Sequence, residues 1–166
     1  MRRLVEANVE VLEQLRATFQ NMDDALWTRP AGAGSGLRVG PHIRHLLDFY
    51  SCFFAGLELG EIDYDARTRN PAIESSRPAA MRAIQSVIDC LMALTCADPD
   101  TGISVRDEHS MLRSTIGREM NCLFHHTIHH LALIAVALQS FGVAVDPGFG
   151  VAPSTLRYRQ STEAAA

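Results

Sequence analysis

The stretch Phe124 to Leu131, FHHTIHHL, holds four of the chain's seven histidines within six residues. Imidazole is largely neutral near pH 7 and offers a lone pair that binds divalent transition metals. Residues four apart on a helix lie one above the other, so His126 with His130, and His125 with His129, each form a pair able to grip one cation. Two ligands are seldom enough. The segment GPHIRHLLDFY supplies further candidates, His42 and His45, three residues apart in another helical pattern. Three imidazoles around one cation leave a position for water or substrate, which separates a reactive site from a closed structural one.

The two pairs on the last helix are not equivalent. Its apolar face is centred on Met120, Leu123, Phe124, Thr127, Leu131, Ile134 and Leu138. His130 lies roughly 70° from that centre and His126 about 110°, whereas His125 and His129 lie roughly 150–170° away. The 126/130 pair therefore borders the core, and 125/129 faces solvent or a partner subunit. On the earlier helix the same wheel puts His42 roughly 60° and His45 about 120° from the apolar centre, which favours His42. Asp48, one turn after His45, and Glu119, two turns before His126, are placed to orient an imidazole N–H or to accept a proton. Both also fit as ordinary helix acids. His109 sits in a polar break beside Asp107 and Glu108 and reads as a loop residue.

Four amphipathic helices must position these groups. The first covers about Arg2 to Met22, with Val5, Val9, Leu12, Leu15, Phe19 and Met22 at three- and four-residue steps. The loop RPAGAGSGLRVG interrupts the pattern, and Gly40-Pro41 opens the second helix, whose apolar positions are Ile43, Leu46, Leu47, Tyr50, Phe53, Phe54 and Leu57. From Gly60 to Arg77 the chain is polar and irregular, as suits a crossover past the end of a bundle. Ser75, Ser76 and Pro78 announce the third helix, with Met81, Ile84, Ile88, Leu91 and Thr95 on one face. A break at ADPDTGISVRDEHS carries a weak hairpin signal, ISV against SML. The fourth helix runs from about Thr115 to Phe141 and stops at Gly142. The expected fold is all-α, a four-helix bundle with a long crossover connection and an irregular C-terminal tail, forming one domain over residues 1–166.

Composition narrows the function classes. A net charge of −4, with fifteen cations that are all arginine and scattered, gives no electrostatic footprint for nucleic acid. The longest apolar run, Leu131 to Leu138, falls well short of the ~20 residues that span a bilayer, and three glutamates stand where a signal peptide needs an apolar block. A cytoplasmic protein with no membrane partner is expected. The four cysteines lack C-x-x-C spacing and sit in apolar helical contexts, which suits reduced, buried thiols.

The segments GPHIRHLLDFY, HTIHHLALIAVAL and FGVAPSTLRYR together resemble the DinB/YfiT family of four-helix-bundle metalloenzymes. The resemblance implies a divalent metal, zinc or nickel first and iron or manganese next, held by His45, His126 and His130. It thus sets His45 against the wheel's preference for His42, which becomes an end-of-helix hydrogen bonder. It also implies a small-molecule substrate. A metal-bound low-molecular-weight thiol would attack an electrophile, with Asp48 and Glu119 as catalytic partners and Arg118 or Arg157 receiving a thiol carboxylate. The alternatives are hydrolysis by activated water, or a non-catalytic bundle in which metal only ties two helices together. Relatives often pair through bundle faces, so a homodimer is expected. Many relatives follow the second histidine of the motif with Arg-Gly-Gln; here Leu131, Ala132 and Leu133 stand instead.

Overall fold

A computed structural model describes residues 1–20, 22–31 and 37–163. In chain order the elements are α1 (Arg2–Gln20), α2 (Asp24–Thr28), α3 (Val39–Leu59), β1 (Glu61–Asp63), α4 (Pro71–Ser75), α5 (Arg77–Ala93), β2 (Gly102–Asp107), β3 (Ser110–Thr115), α6 (Ile116–Ser140) and α7 (Pro153–Glu163). The long helices α1, α3, α5 and α6 form the bundle, each burying the apolar stripe that its sequence period dictates. Leu12, Leu15, Phe19, Ile43, Leu46, Phe53, Ile84, Leu91, Leu131, Ile134 and Leu138 meet in the core. The centre of the glycine-rich loop, residues 32–36, lies outside the described residues.

Helix boundaries follow local chemistry. Ser76 caps α5 by accepting from the Ala79 N–H, with Pro78 in the first turn, and Thr115 caps α6 by accepting from the Arg118 N–H. Gly60 and Gly142, at φ 75° and 76°, end α3 and follow α6 in the left-handed region that glycine tolerates. By length and composition α6 could cross a membrane. Here it lies against α1 and α3, with Leu123, Thr127, Leu131, Ile134 and Leu138 buried.

The chain between the long helices holds more structure than its composition suggests. The 60–77 connection contains β1 and α4, and the weak hairpin is two six-residue strands, β2 and β3. Val105 pairs with Leu112 and Ile103 with Ser114, so ISV faces residues 112–114, sharing only Leu112 with SML. β1 adds in parallel to β2, giving the order β1-β2-β3. This sheet links the end of α3 to the start of α6. The two helices consequently run antiparallel, which brings the first half of α3 opposite the middle of α6.

Two expectations are corrected. The tail is not irregular throughout, because Pro153–Glu163 forms α7. None of its residues is buried, so no apolar stripe marked it as helical. The cysteines are also less buried than their apolar neighbours implied: Cys90, Cys96 and Cys122 are exposed and Cys52 is half-buried, all four as free thiols. Cys52, Cys90 and Cys122 lie on α3, α5 and α6 away from their buried stripes, and Cys96 lies in the turn after α5.

The α3–sheet junction is tight. A Cβ on Gly56 would come within 2.4 Å of Ile62 Cγ1 and 2.9 Å of the Glu61 carbonyl. Gly56→Ala is therefore expected to cost about 1–3 kcal/mol, read as a Tm lower by roughly 3–10 °C in a thermal melt. An unchanged Tm would mean that the sheet does not brace α3.

Candidate metal centre

A buried polar chain sets the register between the helices that carry the histidines. Asn8 on α1 donates to the Leu4 carbonyl (2.8 Å) and to the Met120 carbonyl of α6 (3.1 Å). The Tyr50 hydroxyl of α3 donates to Asn8 Oδ1 (2.7 Å) and lies 3.0 Å from Thr127 Oγ1 of α6. Buried groups that must find partners fix relative position more sharply than apolar contact does. With Tyr50 locked against Thr127, the turn before Tyr50 faces the turns around Thr127.

Four imidazoles converge there. One nitrogen each from His45, His126 and His130 lie within 4.8 Å of one another. His126 Nε2 and His130 Nε2 are 3.1 Å apart, and His42 Nδ1 lies 3.0 Å from His130 Nδ1. The His45 ring centroid is 4.7 Å from that of His130 and 5.1 Å from that of His126. The structure thus brings His45, His126 and His130 around one point and puts His42 behind His130. His125 and His129 are exposed on α6, the His129 ring at the rim of the cluster 5.2 Å from that of His130, and His109 is exposed beside Glu108.

The environment keeps these rings neutral. Burial first, then the neighbouring His126, pushes His130 down to about 3, and burial followed by His45 pushes His126 down to about 4. His45 is lowered by burial and then by the Arg67 and Arg44 charges, and His42 by burial and then by His129. A neutral imidazole has one lone pair and one N–H, so two Nε2 atoms 3.1 Å apart either share a proton or point lone pairs at a cation. His126 Nδ1 is buried and has no hydrogen-bond partner among the described residues. The donor set, three neutral nitrogens from two facing helices, fits a divalent transition metal.

The low pKa values bear on stability. The unfolded chain protonates these rings near 6.5 and the folded chain only near 3 and 4, so between those values the unfolded state binds more protons and stability falls as pH falls. Allowing for the partial exposure of the cluster, metal-free protein should lose about 2 kcal/mol between pH 7 and pH 5, roughly 4–8 °C in Tm. The His126→Gln, His130→Gln double variant should lose less over the same interval. Equal pH slopes for the two proteins would contradict the assignment.

The acids are bonded elsewhere, although the Asp48 charge partly offsets the lowering of His45. Asp48 is buried and its Oδ2 accepts from Arg44 Nη1 at 2.7 Å; Arg44 also pairs with Glu74 of α4. Asp48 borders a cavity of about 170 Å³ shared with Cys52, Asp63, Ala66 and Thr68. Glu119, also buried, accepts from Tyr64 Oη (3.0 Å), Ser114 Oγ (2.5 Å) and Arg118 Nη1 (2.9 Å). Its link to the histidines is indirect: Tyr64 stacks on Phe49 at 5.0 Å between centroids, and Phe49 lies 4.1 Å from His126 and 4.9 Å from His45. Among the described residues neither carboxylate hydrogen-bonds to an imidazole. Arg118 is engaged by Glu119 and Cys122, and Arg157 is exposed on α7.

Sequence reasoning missed Phe49, Tyr64 and Arg67. Phe49 follows His45 by one turn, a spacing that could have indicated contact. Tyr64 and Arg67 lie in the polar connection, where no periodicity signals direction. Arg67 Nη1 is 3.5 Å from His45 Nδ1, and its Cζ is 5.3 Å from the Phe49 centroid.

An antiparallel helical bundle with a three-histidine cluster between two facing helices defines a class of candidate metalloproteins. Residues 7–134 match the model of the DinB superfamily, and the chain belongs to that family. Among solved structures it is similar to YfiT from Bacillus subtilis, described as a probable metal-dependent hydrolase with an unusual four-helix bundle topology. That likeness has a TM-score of 0.67 at 18% identity and covers 86% of this chain and 87% of the other, so it establishes the shared fold. The chain is also 34% identical over 104 residues to FK506-binding protein 5 of Rhizopus delemar. The match takes in 58% of this chain but spans only 27% of that much longer protein.

Proposed function

We propose that His45, His126 and His130 hold a divalent cation and that the protein is a metal-dependent enzyme acting through a small nucleophile. The carrying observation is the convergence of three nitrogens within 4.8 Å on rings held neutral. Zinc and nickel suit such a set best, with iron and manganese next. When bound, the cation supplies Lewis acidity that lowers the pKa of a thiol or water molecule at the remaining position.

The chain's own residues prepare that position. His126 and His130 give up lone pairs without first losing a proton at neutral pH. With Nε2 of His130 turned to His126, its Nδ1 carries the proton and donates to His42 Nδ1, which fixes the ring's tautomer and tilt. Phe49 and Tyr64 form an apolar wall that excludes water on one side, and Glu119 anchors Tyr64. Asp48 and Glu119 then act by positioning helix α3 and the wall.

The nucleophile is a low-molecular-weight thiol, in keeping with the thiol-dependent transferases that DinB-like proteins include, and the reaction is attack of its thiolate on an electrophilic carbon, forming the C–S bond as the bond to a leaving group breaks and that group departs with the thiol proton. Hydrolysis by water is the second reading, favoured by the likeness to a probable metal-dependent hydrolase. The test is turnover by metal-loaded protein of electrophiles with and without added thiol, beside His45→Ala. Thiol-dependent consumption lost in the variant is the expected result. Thiol-independent consumption of esters or amides would support hydrolysis. Metal that raises Tm with no turnover on either panel would leave only a helix brace.

A further inference from the structure

The connection after β1 delivers one cation to the histidines. Asp63 Oδ1 accepts from the N–H groups of Asp65 (2.9 Å) and Ala66 (3.1 Å), a turn that sends the next residue, Arg67, back toward α3. The Arg67 side chain is 18% exposed and lies over Phe49 beside His45. Guanidinium has five N–H donors in a planar fork suited to two oxygens. Here that fork is poorly satisfied. Nη2 is 3.8 Å from an oxygen of Asp65, whose side chain is 80% exposed, and Nε is buried with no hydrogen-bond partner among the described residues. Arg44 is engaged by Asp48 and Glu74, and Arg118 by Glu119.

The one contact to His45 is incompatible with a metal. Arg67 can only donate, so His45 Nδ1 must present its lone pair to Nη1. If Nδ1 binds a cation, that lone pair is taken. If Nε2 binds instead, Nδ1 carries the proton and meets another donor. In both cases loading frees the Nη1 donor, leaving beside the cation a guanidinium whose charge meets only the loose, exposed Asp65 pair.

Building on the metal-centre reading above, we infer that Arg67 is an oxyanion subsite: its fork receives a carboxylate or phosphate-type group of the small molecule whose other end occupies the open metal position. An anion there neutralises Arg67 and gives its donors acceptors, so anion and metal should tighten each other's binding.

The test uses Co²⁺-loaded full-length protein and four short thiols with a common sulfur head: 3-mercaptopropionate, 2-mercaptoethylphosphonate, 2-mercaptoethanol and cysteamine. Binding is read from the sulfur-to-cobalt charge-transfer absorption. The carboxylate or the phosphonate should bind about tenfold to a hundredfold tighter than 2-mercaptoethanol, and cysteamine weakest. Whichever anion binds tighter identifies the group. Arg67→Met should reduce the preference to within about twofold, and should tighten Co²⁺ itself in a chelator competition because a like charge is gone. Arg67→Lys should keep part of the preference, having charge without the fork. A preference unchanged in Arg67→Met, or equal wild-type affinity for all four thiols, overturns the subsite while leaving the metal centre standing. Wild-type protein that takes up no Co²⁺ overturns the metal centre, and the subsite with it.

Discussion

Replacing His126 by alanine is expected to weaken divalent-metal binding by at least about a hundredfold, with His45→Ala and His130→Ala close to it. Each variant leaves two imidazoles, and two neutral nitrogens with no third donor do not make a tetrahedral site. His42→Ala should cost less, about tenfold to a hundredfold, because His42 lies 3.0 Å behind His130 and acts on its tautomer and orientation. His125→Ala and His129→Ala should stay within about twofold of wild type, since both rings are exposed and His129, although its ring lies 5.2 Å from that of His130, is outside the three-nitrogen cluster. Isothermal titration or chelator competition with Zn²⁺ measures all six proteins. The ordering matters more than any single value. A large loss in His125→Ala or His129→Ala would place the site on the outer face, and a larger loss in His42→Ala than in His45→Ala would exchange their roles.

The second large effect concerns stability. Arg44→Ala should destabilise the fold by about 3–5 kcal/mol, because it leaves the Asp48 carboxylate buried without its partner. In Tm this is a fall of roughly 8–15 °C. The loss extends beyond one ion pair: Arg44 also reaches Glu74 on α4, pinning the crossover to α3, while Trp27 of α2 donates to the Ile73 carbonyl of α4 at 2.9 Å and ties it to α2. Asp48→Asn should cost much less, since a neutral amide does not leave a charge buried. Should Arg44→Ala melt like wild type, Asp48 would be free to act on the histidines, and its assignment to positioning α3 would be wrong.

The four long helices were legible because their apolar residues recur at the helical period and chemical stops stand at the ends, such as Ser76 before α5 and Gly142 after α6. The inner and outer histidines of α6 were separable for the same reason. On α3 the wheel decides less, because His42 and His45 are both half-buried and both reach His130. It ranks His42 above His45 by distance from one apolar centre, yet α3 packs against α5, α6, β1 and α4 together. Inward is therefore not a single direction, and a ring well off the apolar centre can still face α6, as His45 does at 4.7 Å from His130. Arg67 and Tyr64 were invisible because a turn built by Asp63, and no repeat, aims them. Short elements such as β1 and α4 hold too few residues for a period to show, and α7 is polar on every side.

The central claim is that imidazoles from α3 and α6 close on one cation. X-ray absorption, combined with an anomalous-scattering map of protein purified without a nickel column and given Zn²⁺, measures this most directly. About one zinc per chain should be found with three imidazole nitrogens at ~2.0–2.1 Å, from His45, His126 and His130, and one lighter ligand. Zinc bound at His125 and His129, or no stoichiometric zinc while His126 Nε2 and His130 Nε2 stay in mutual contact, would contradict it.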